Sequence, residues 1–344
     1  MKQVVHHRGT EHTEKTLVAF LCVLCVSVVF SVWVQAQARY EQTRAAMGTE
    51  FTIVAYGDDE ARLESAVNRA FDLIQQLGRR WSNRLPQSEL SDVNRRAARE
   101  AVSVPDDLLE LLETSLRYSR QTGGAFDITV GPLVAAWGFV QGTGRIPGPP
   151  ELAEARARSG WRKLRLDPAA RTVSFATPGM QLDLGGIGKG YALDRAGSLL
   201  LQSDVTRALL TAGASSILAL GPPPGANGWS VEIRDPVDRE KSAARWDLSG
   251  SSLSTSANYE KFFRAGGRLY GHIMDPRTGY PAQGTLSVSV VAATATESDA
   301  LSTAAFVMGK QGTLRYLQSH PGIRVFLCSE SGCEWLAANA PTVP

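Results

Sequence analysis

The segment DLGGIGKGYALD, residues 183–194, limits what this chain can fold into more than any other stretch. An apolar run ends near Asp183, and glycines stand at 185, 186, 188 and 190. Helical spacing then begins with Leu193, Ala196, Gly197 and Leu200. The pattern reads as a strand end, a glycine turn and a helix start. Glycine lets backbone approach a ligand closely. A helix start offers free N–H groups and a positive dipole end, and Lys189 adds a full charge. Such a turn suits a phosphate; the competing reading is a turn whose glycines serve packing alone. Two common phosphate signatures are excluded. A Walker-type loop aligned on Gly188-Lys189 would need Gly at Asp183 and Ser or Thr at Gly190. A Rossmann fingerprint starting at Gly186 would need Gly at Tyr191.

Strand and helix signals alternate irregularly along the rest of the chain. FTIVAY (51–56) alternates as a strand, and Leu63, Ala66, Val67, Ala70, Phe71, Ile74 and Leu77 recur at helical spacing. Asp107 to Arg120 reads as a helix stopped by TGG, and Gly138 to Pro150 as a surface loop. KLRLD, TVSFA, MQLDL, WSVEIRD, RLYGHIMD and LSVSVVAA read as strands, with GPPPGANG (221–228) as a turn-rich connection and Glu297 to Met308 as a helix. Short turns between strand pairs predict antiparallel sheet, so the expected class is α+β in one unit.

Leu17 to Val34 is an uncharged run of apolar, Cys and Ser residues, preceded by Arg8 and Lys15 and followed by Ala36-Gln37-Ala38. That is the layout of a secretory signal cut after Ala38, and the run is also long enough for a membrane anchor. Residues 1–38 are therefore expected to be a signal peptide or N-terminal anchor, and 39–344 the functional domain. Membrane contact is expected through the N-terminal segment if it stays uncut. The chain would be exported, to the periplasm or the periplasm-facing side of the inner membrane. A net charge of +2 with scattered Lys and Arg argues against nucleic acid as a partner. Cys22 and Cys25 lie in the apolar run, while Cys328 and Cys333 bracket a short turn. Two strands around that turn would bring the sulfurs together, and an oxidising compartment favours a disulfide over two free thiols.

Asp299 and Thr303, four residues apart on a predicted helix, share a face. A carboxylate plus a hydroxyl suits a hard cation such as Mg²⁺. Alternatively, Asp299 serves the helix dipole and Thr303 is simply buried or solvated.

Six segments occur in one order: MGTEF (47–51), GGAFDITVGPLVAAWGF (123–139), DLGGIGKGYALD (183–194), STSANYEKF (254–262), HIMDPRTGYP (272–281) and ESDALSTAAFVMG (297–309). Together they resemble the ApbE family, the FAD:protein FMN transferases. The resemblance implies an α+β, T-fold-like architecture, with antiparallel sheets and flanking helices around a flavin cleft. It implies a Mg²⁺-dependent enzyme that cleaves the pyrophosphate of FAD, its substrate. FMN would pass through a phosphoester to a Thr or Ser of an acceptor flavoprotein, and AMP would leave. By the same resemblance Asp299, Thr303 and the Gly186 carbonyl would hold the metal. Met47, Ala125, Phe126, Asp127, Asp183, Lys189, His272 and Ile273 match positions that contact FAD, and His272 matches the general base. Arg84 stands where the family commonly has an aromatic residue; its plane can stack on a flat ring, or Trp81 takes that part. TAGASS (211–216) and Ala257-Asn258 also depart from the usual pattern. A His base would titrate near 6.5 unless burial or Asp275 moves it. The competing functions are a periplasmic FAD pyrophosphatase and a non-catalytic flavin-binding protein.

Overall fold

The computed structural model describes residues 37–140 and 142–336; most of the expected leader, including Leu17 to Val34, lies outside them. Eight strands form the main sheet: β1 (Ala38–Ala46), β2 (Thr49–Gly57), β3 (Arg207–Ala212), β4 (Ser216–Ala219), β5 (Ser251–Ala257), β6 (Ser287–Ala292), β7 (Arg324–Ser329) and β8 (Gly332–Leu336). Each pairs antiparallel with its neighbour in this order. Alternation in β2 places Phe51, Ile53 and Ala55 in the core, fully buried. Among the described residues no helix is long and apolar enough to cross a membrane.

Three helices cover one face of the sheet: α1 (Glu60–Arg80), α2 (Gly188–Gln202) and α3 (Ala295–Leu317). Asp59 caps α1 by accepting the Arg62 N–H, and the seven positions predicted to be apolar and inward, Leu63 to Leu77, are buried. Burying each large aliphatic or aromatic side chain of that stripe is worth roughly 1.5–3 kcal/mol. The helix α1 packs on β1 and β2 and on α2, α2 packs on α3, and α3 lies on β5 and β6. Thr294 caps α3, and helical geometry breaks at Gly309 (φ 63°), one residue past the expected end at Met308. The opposite sheet face is covered by a hairpin of strands Trp229–Arg234 and Ser242–Leu248, whose Val231, Ile233 and Leu248 pack with Leu253, Val291 and Phe326. Cys328 and Cys333 sit opposite each other on β7 and β8 and form a disulfide.

The expected α+β class with antiparallel sheet is the one observed, but two expected strands are not. MQLDL forms no ladder. Its backbone groups find other partners: Asn94 donates to the Leu182 carbonyl and accepts the Leu182 N–H, and Asp183 N–H donates to the Ile128 carbonyl. RLYGHIMD is broken at His272-Ile273 into Arg268–Gly271 and Met274–Asp275, because the first piece pairs with Phe262–Ala265 and the second with Tyr280–Pro281. The loop read over 138–150 also ends early, since a helix begins at Pro149.

Candidate active site

One cavity of about 400 Å³ opens beside the N-terminus of α2, in the range typical of ligand pockets. Its wall includes Met47, Arg84, Ala125, Phe126, Asp127, Asp183, Gly186, Lys189, His272, Ile273, Asp299 and Thr303. Segments spread from residue 47 to residue 303 thus meet in one place. Met47 leads the two-residue turn joining β1 and β2, at φ 49°, with Gly48 at φ 78°. A left-handed Met is uncommon, and its side chain rests on Gly78 of α1, where an added Cβ would lie 3.1 Å from Met47 Cγ.

The glycine turn is shaped by Asp183. Its Oδ1 accepts the Gly185 N–H at 2.8 Å, and Oδ2 accepts from Asn83 Nδ2 at 3.1 Å. Lys189 Nζ donates to the Gly185 carbonyl at 3.2 Å. Gly190 serves packing: a Cβ there would lie 2.1 Å from the Ala295 carbonyl oxygen. That closeness lets Gly190 N–H donate to Asp299 Oδ2 at 2.9 Å. Gly186 faces the cavity wall, where an added Cβ would stand 3.0 Å from Thr303 Oγ1 and 3.4 Å from Phe126 Cε2. Packing and ligand approach are therefore divided between glycines four residues apart.

Asp299, Thr303 and the Gly186 carbonyl are an oxygen-only donor set, which fits a hard divalent cation. Asp299 is 5% exposed and uses Oδ2 on Gly190, while Oδ1 has no hydrogen-bond donor among the described residues. A carboxylate oxygen left open on a cavity-lining residue, beside a hydroxyl and a side-chain-free carbonyl, suits such an ion. Among the described residues no cluster of three or more His, Cys, Asp or Glu competes with this set.

His272 is half-buried behind the Phe139 ring, 6.5 Å between ring centres. Its Nδ1 lies 3.3 Å from the Lys261 carbonyl oxygen, which can only accept, so Nδ1 carries the proton and Nε2 keeps a lone pair. Burial, with the charges of Lys261 and Lys189, lowers the imidazole to about 4. Asp275 plays no part in this: Arg277 holds both of its oxygens, at 2.8 and 2.9 Å.

Two site residues differ in character from the rest. Asp127 turns its carboxylate inward, accepting from Thr129 N and Oγ1 at 2.8 and 2.7 Å and from Trp161 N at 2.8 Å. Burial raises its pKa against those bonds, and the carboxylate is committed to shaping the loop. Arg84 is exposed at the cavity mouth. Trp81 is 6% exposed, packs 5.2 Å from Tyr191 and is outside the cavity wall, so it does not replace Arg84. Asn83, Thr255, Ser256, Glu260 and Lys261 also line the cavity. Sequence reading did not single them out; Thr255, Ser256, Glu260 and Lys261 lie in the STSANYEKF segment, and Asn83 adjoins Arg84.

Comparison with known proteins places the chain in one family. The ApbE family profile matches residues 47–327. The FAD:protein FMN transferase of Treponema pallidum (strain Nichols) is 34% identical over 320 residues, covering 88% of each chain. That of Klebsiella pneumoniae (strain 342) is 31% identical over 299 residues, covering 83% of each. The crystal structure of the ApbE protein of Thermotoga maritima superposes with a TM-score of 0.80 at 31% identity, covering 86% of this chain and 96% of that one.

Proposed function

This chain belongs to the ApbE family, and we propose on that basis that it is an exported, Mg²⁺-dependent FAD:protein FMN transferase. The observation carrying the proposal is that a neutral imidazole and an oxygen-only cation set open on the same cavity, beside Lys189. In this reading the acceptor Thr or Ser hydroxyl gives its proton to His272 Nε2 as its oxygen attacks the FMN phosphorus. The new bond is a phosphoester; the pyrophosphate P–O bond breaks and AMP leaves with the electron pair. Lys189, at the positive end of α2, binds the phosphate oxygens through its ammonium, since the Gly188 and Gly190 N–H groups are already given to Leu184 and Asp299. Asp299, Thr303 and the Gly186 carbonyl would hold Mg²⁺, which when bound would offset phosphate charge. Arg84, at the mouth, would stack its guanidinium plane on a flat ring of the substrate.

Residues 39–344 are proposed as the catalytic domain and 1–38 as the signal or anchor that places it in the periplasm. The Cys328–Cys333 disulfide supports an oxidising location. Mass spectrometry of a candidate acceptor protein after incubation with FAD and Mg²⁺ tests the activity. Covalent FMN on a Thr or Ser is expected. Release of FMN and AMP without an adduct would replace the transferase with a pyrophosphatase.

A further inference from the structure

Ser252, Ser254 and Ser256 take alternate positions on β5 and so share one face. They meet Ser298 and Ser302, which stand four apart on α3. The row ends at the cavity, where Ser256 Oγ lies 2.9 Å from Ser302 Oγ and 3.3 Å from Thr303 Oγ1.

Proton counting sets the direction of these bonds. Each hydroxyl has one proton and two lone pairs. Ser302 Oγ lies 2.9 Å from the Asp299 carbonyl oxygen, which only accepts, so the Ser302 proton goes there. Ser256 must then donate to Ser302, and it has only lone pairs to offer Thr303. Thr303 therefore donates to Ser256, and its Oγ1 lone pairs remain for the cavity.

We infer that Ser256 is a positioning residue for the cation site. It turns the Thr303 hydroxyl so that Oγ1 presents lone pairs, and not a proton, to a divalent ion held with Asp299 and the Gly186 carbonyl. The reversed order would aim a hydroxyl proton at the cation. The inference deepens the metal reading of the proposed function and rests on it.

The test is Mn²⁺ binding to the purified full-length chain, read from loss of the free-ion EPR signal and needing no turnover. Partners of metal ligands typically change affinity by about 10–100-fold when removed. Ser256→Ala should therefore weaken Mn²⁺ binding by about tenfold or more, while Ser256→Thr, which keeps the hydroxyl beside an open cavity, binds as wild type does. Ser302→Ala should also weaken binding, although Ser302 does not line the cavity, because the freed Ser256 proton turns to Thr303. A folded Ser256→Ala with wild-type affinity overturns the inference, as does Ser256→Thr as weak as Ser256→Ala. Where Ser256→Ala does not fold, wild-type affinity in Ser302→Ala overturns it. Unchanged affinity in Asp299→Ala would remove the cation site itself, and this inference with it.

Discussion

Asp194 and Asp299 each cap the helix that carries the other. Asp194, on α2, accepts the N–H groups of Ala295 and Thr296 at 2.8 Å each, and the Thr296 hydroxyl at 2.5 Å. Asp299, on α3, accepts the Gly190 N–H at 2.9 Å. The two helix starts, each with donors that lack an intrahelical partner, are thereby fixed against one another. The cavity wall inherits that rigidity, since α2 supplies Lys189 and α3 supplies Asp299 and Thr303.

Asp194→Ala should leave three donors on α3, the Ala295 and Thr296 N–H groups and the Thr296 hydroxyl, without that acceptor. The cost of an unmet buried polar group is about 1–3 kcal/mol, so denaturant unfolding should show a loss of at least that size. Asp194→Asn, which retains one acceptor oxygen, should lose less. Equal stability of Asp194→Ala and wild type would show that the clasp contributes nothing.

Gly190→Ala separates local propensity from tertiary contact. Inside an isolated helix the change would stabilise by about 1 kcal/mol. Here the new Cβ would meet the Ala295 carbonyl oxygen at 2.1 Å and Asp299 Cβ at 2.8 Å. Overpacking of that kind costs about 1–3 kcal/mol or more, so the melting temperature should fall, and a rise would contradict the close approach of the two helices.

His272 should act as a base over a wider pH range than an ordinary histidine. Its folded value of about 4 lies below the usual 6.5, so the imidazole stays neutral until the solution is strongly acidic. The acid limb of kcat/KM, which reports the free enzyme, should fall near pH 4 and not near 6.5. The unfolded chain takes up the proton first on acidification, so the stability linked to this group is present above about pH 6.5 and is lost as pH falls toward 4. His272→Ala should lower transfer by about 10²–10⁴-fold with FAD affinity changed far less. Single-turnover transfer at saturating FAD and Mg²⁺ makes the comparison, and matching rates would remove His272 from the reaction.

Reducing Cys328–Cys333 should affect stability and spare chemistry. The pair closes a loop with a sequence separation of only 5, so chain-entropy reasoning gives on the order of 1–3 kcal/mol. Cys328→Ser/Cys333→Ser should unfold at lower denaturant with unchanged transfer rate, because neither residue lines the cavity. Peptide mapping without reduction should recover the linked pair, and free thiols in freshly isolated protein would contradict the link.

What the sequence by itself determined is what depends on near neighbours along the chain. The apolar stripe of α1, the alternation of β2, the placing of Asp299 and Thr303 on one face of α3 and the helix stop before Gly309 follow from periods of 3.6 or 2 and from glycine's backbone freedom. The site residues themselves came from resemblance to a family, since no spacing rule links Met47 to Thr303. Tertiary structure decided the rest, because hydrogen-bond partners far apart in sequence compete with local preference. MQLDL has strand-like composition, yet the Asn94 amide takes both backbone groups of Leu182, 88 residues away. The pKa of His272 was set by burial and by Lys261 and Lys189, and not by Asp275 three residues on. The mutual caps of Asp194 and Asp299, and the proton order from Ser302 through Ser256 to Thr303, exist only where two helices, or a helix and a strand, come within hydrogen-bond distance. Distances of that size are properties of the packed chain, and a linear sequence does not contain them.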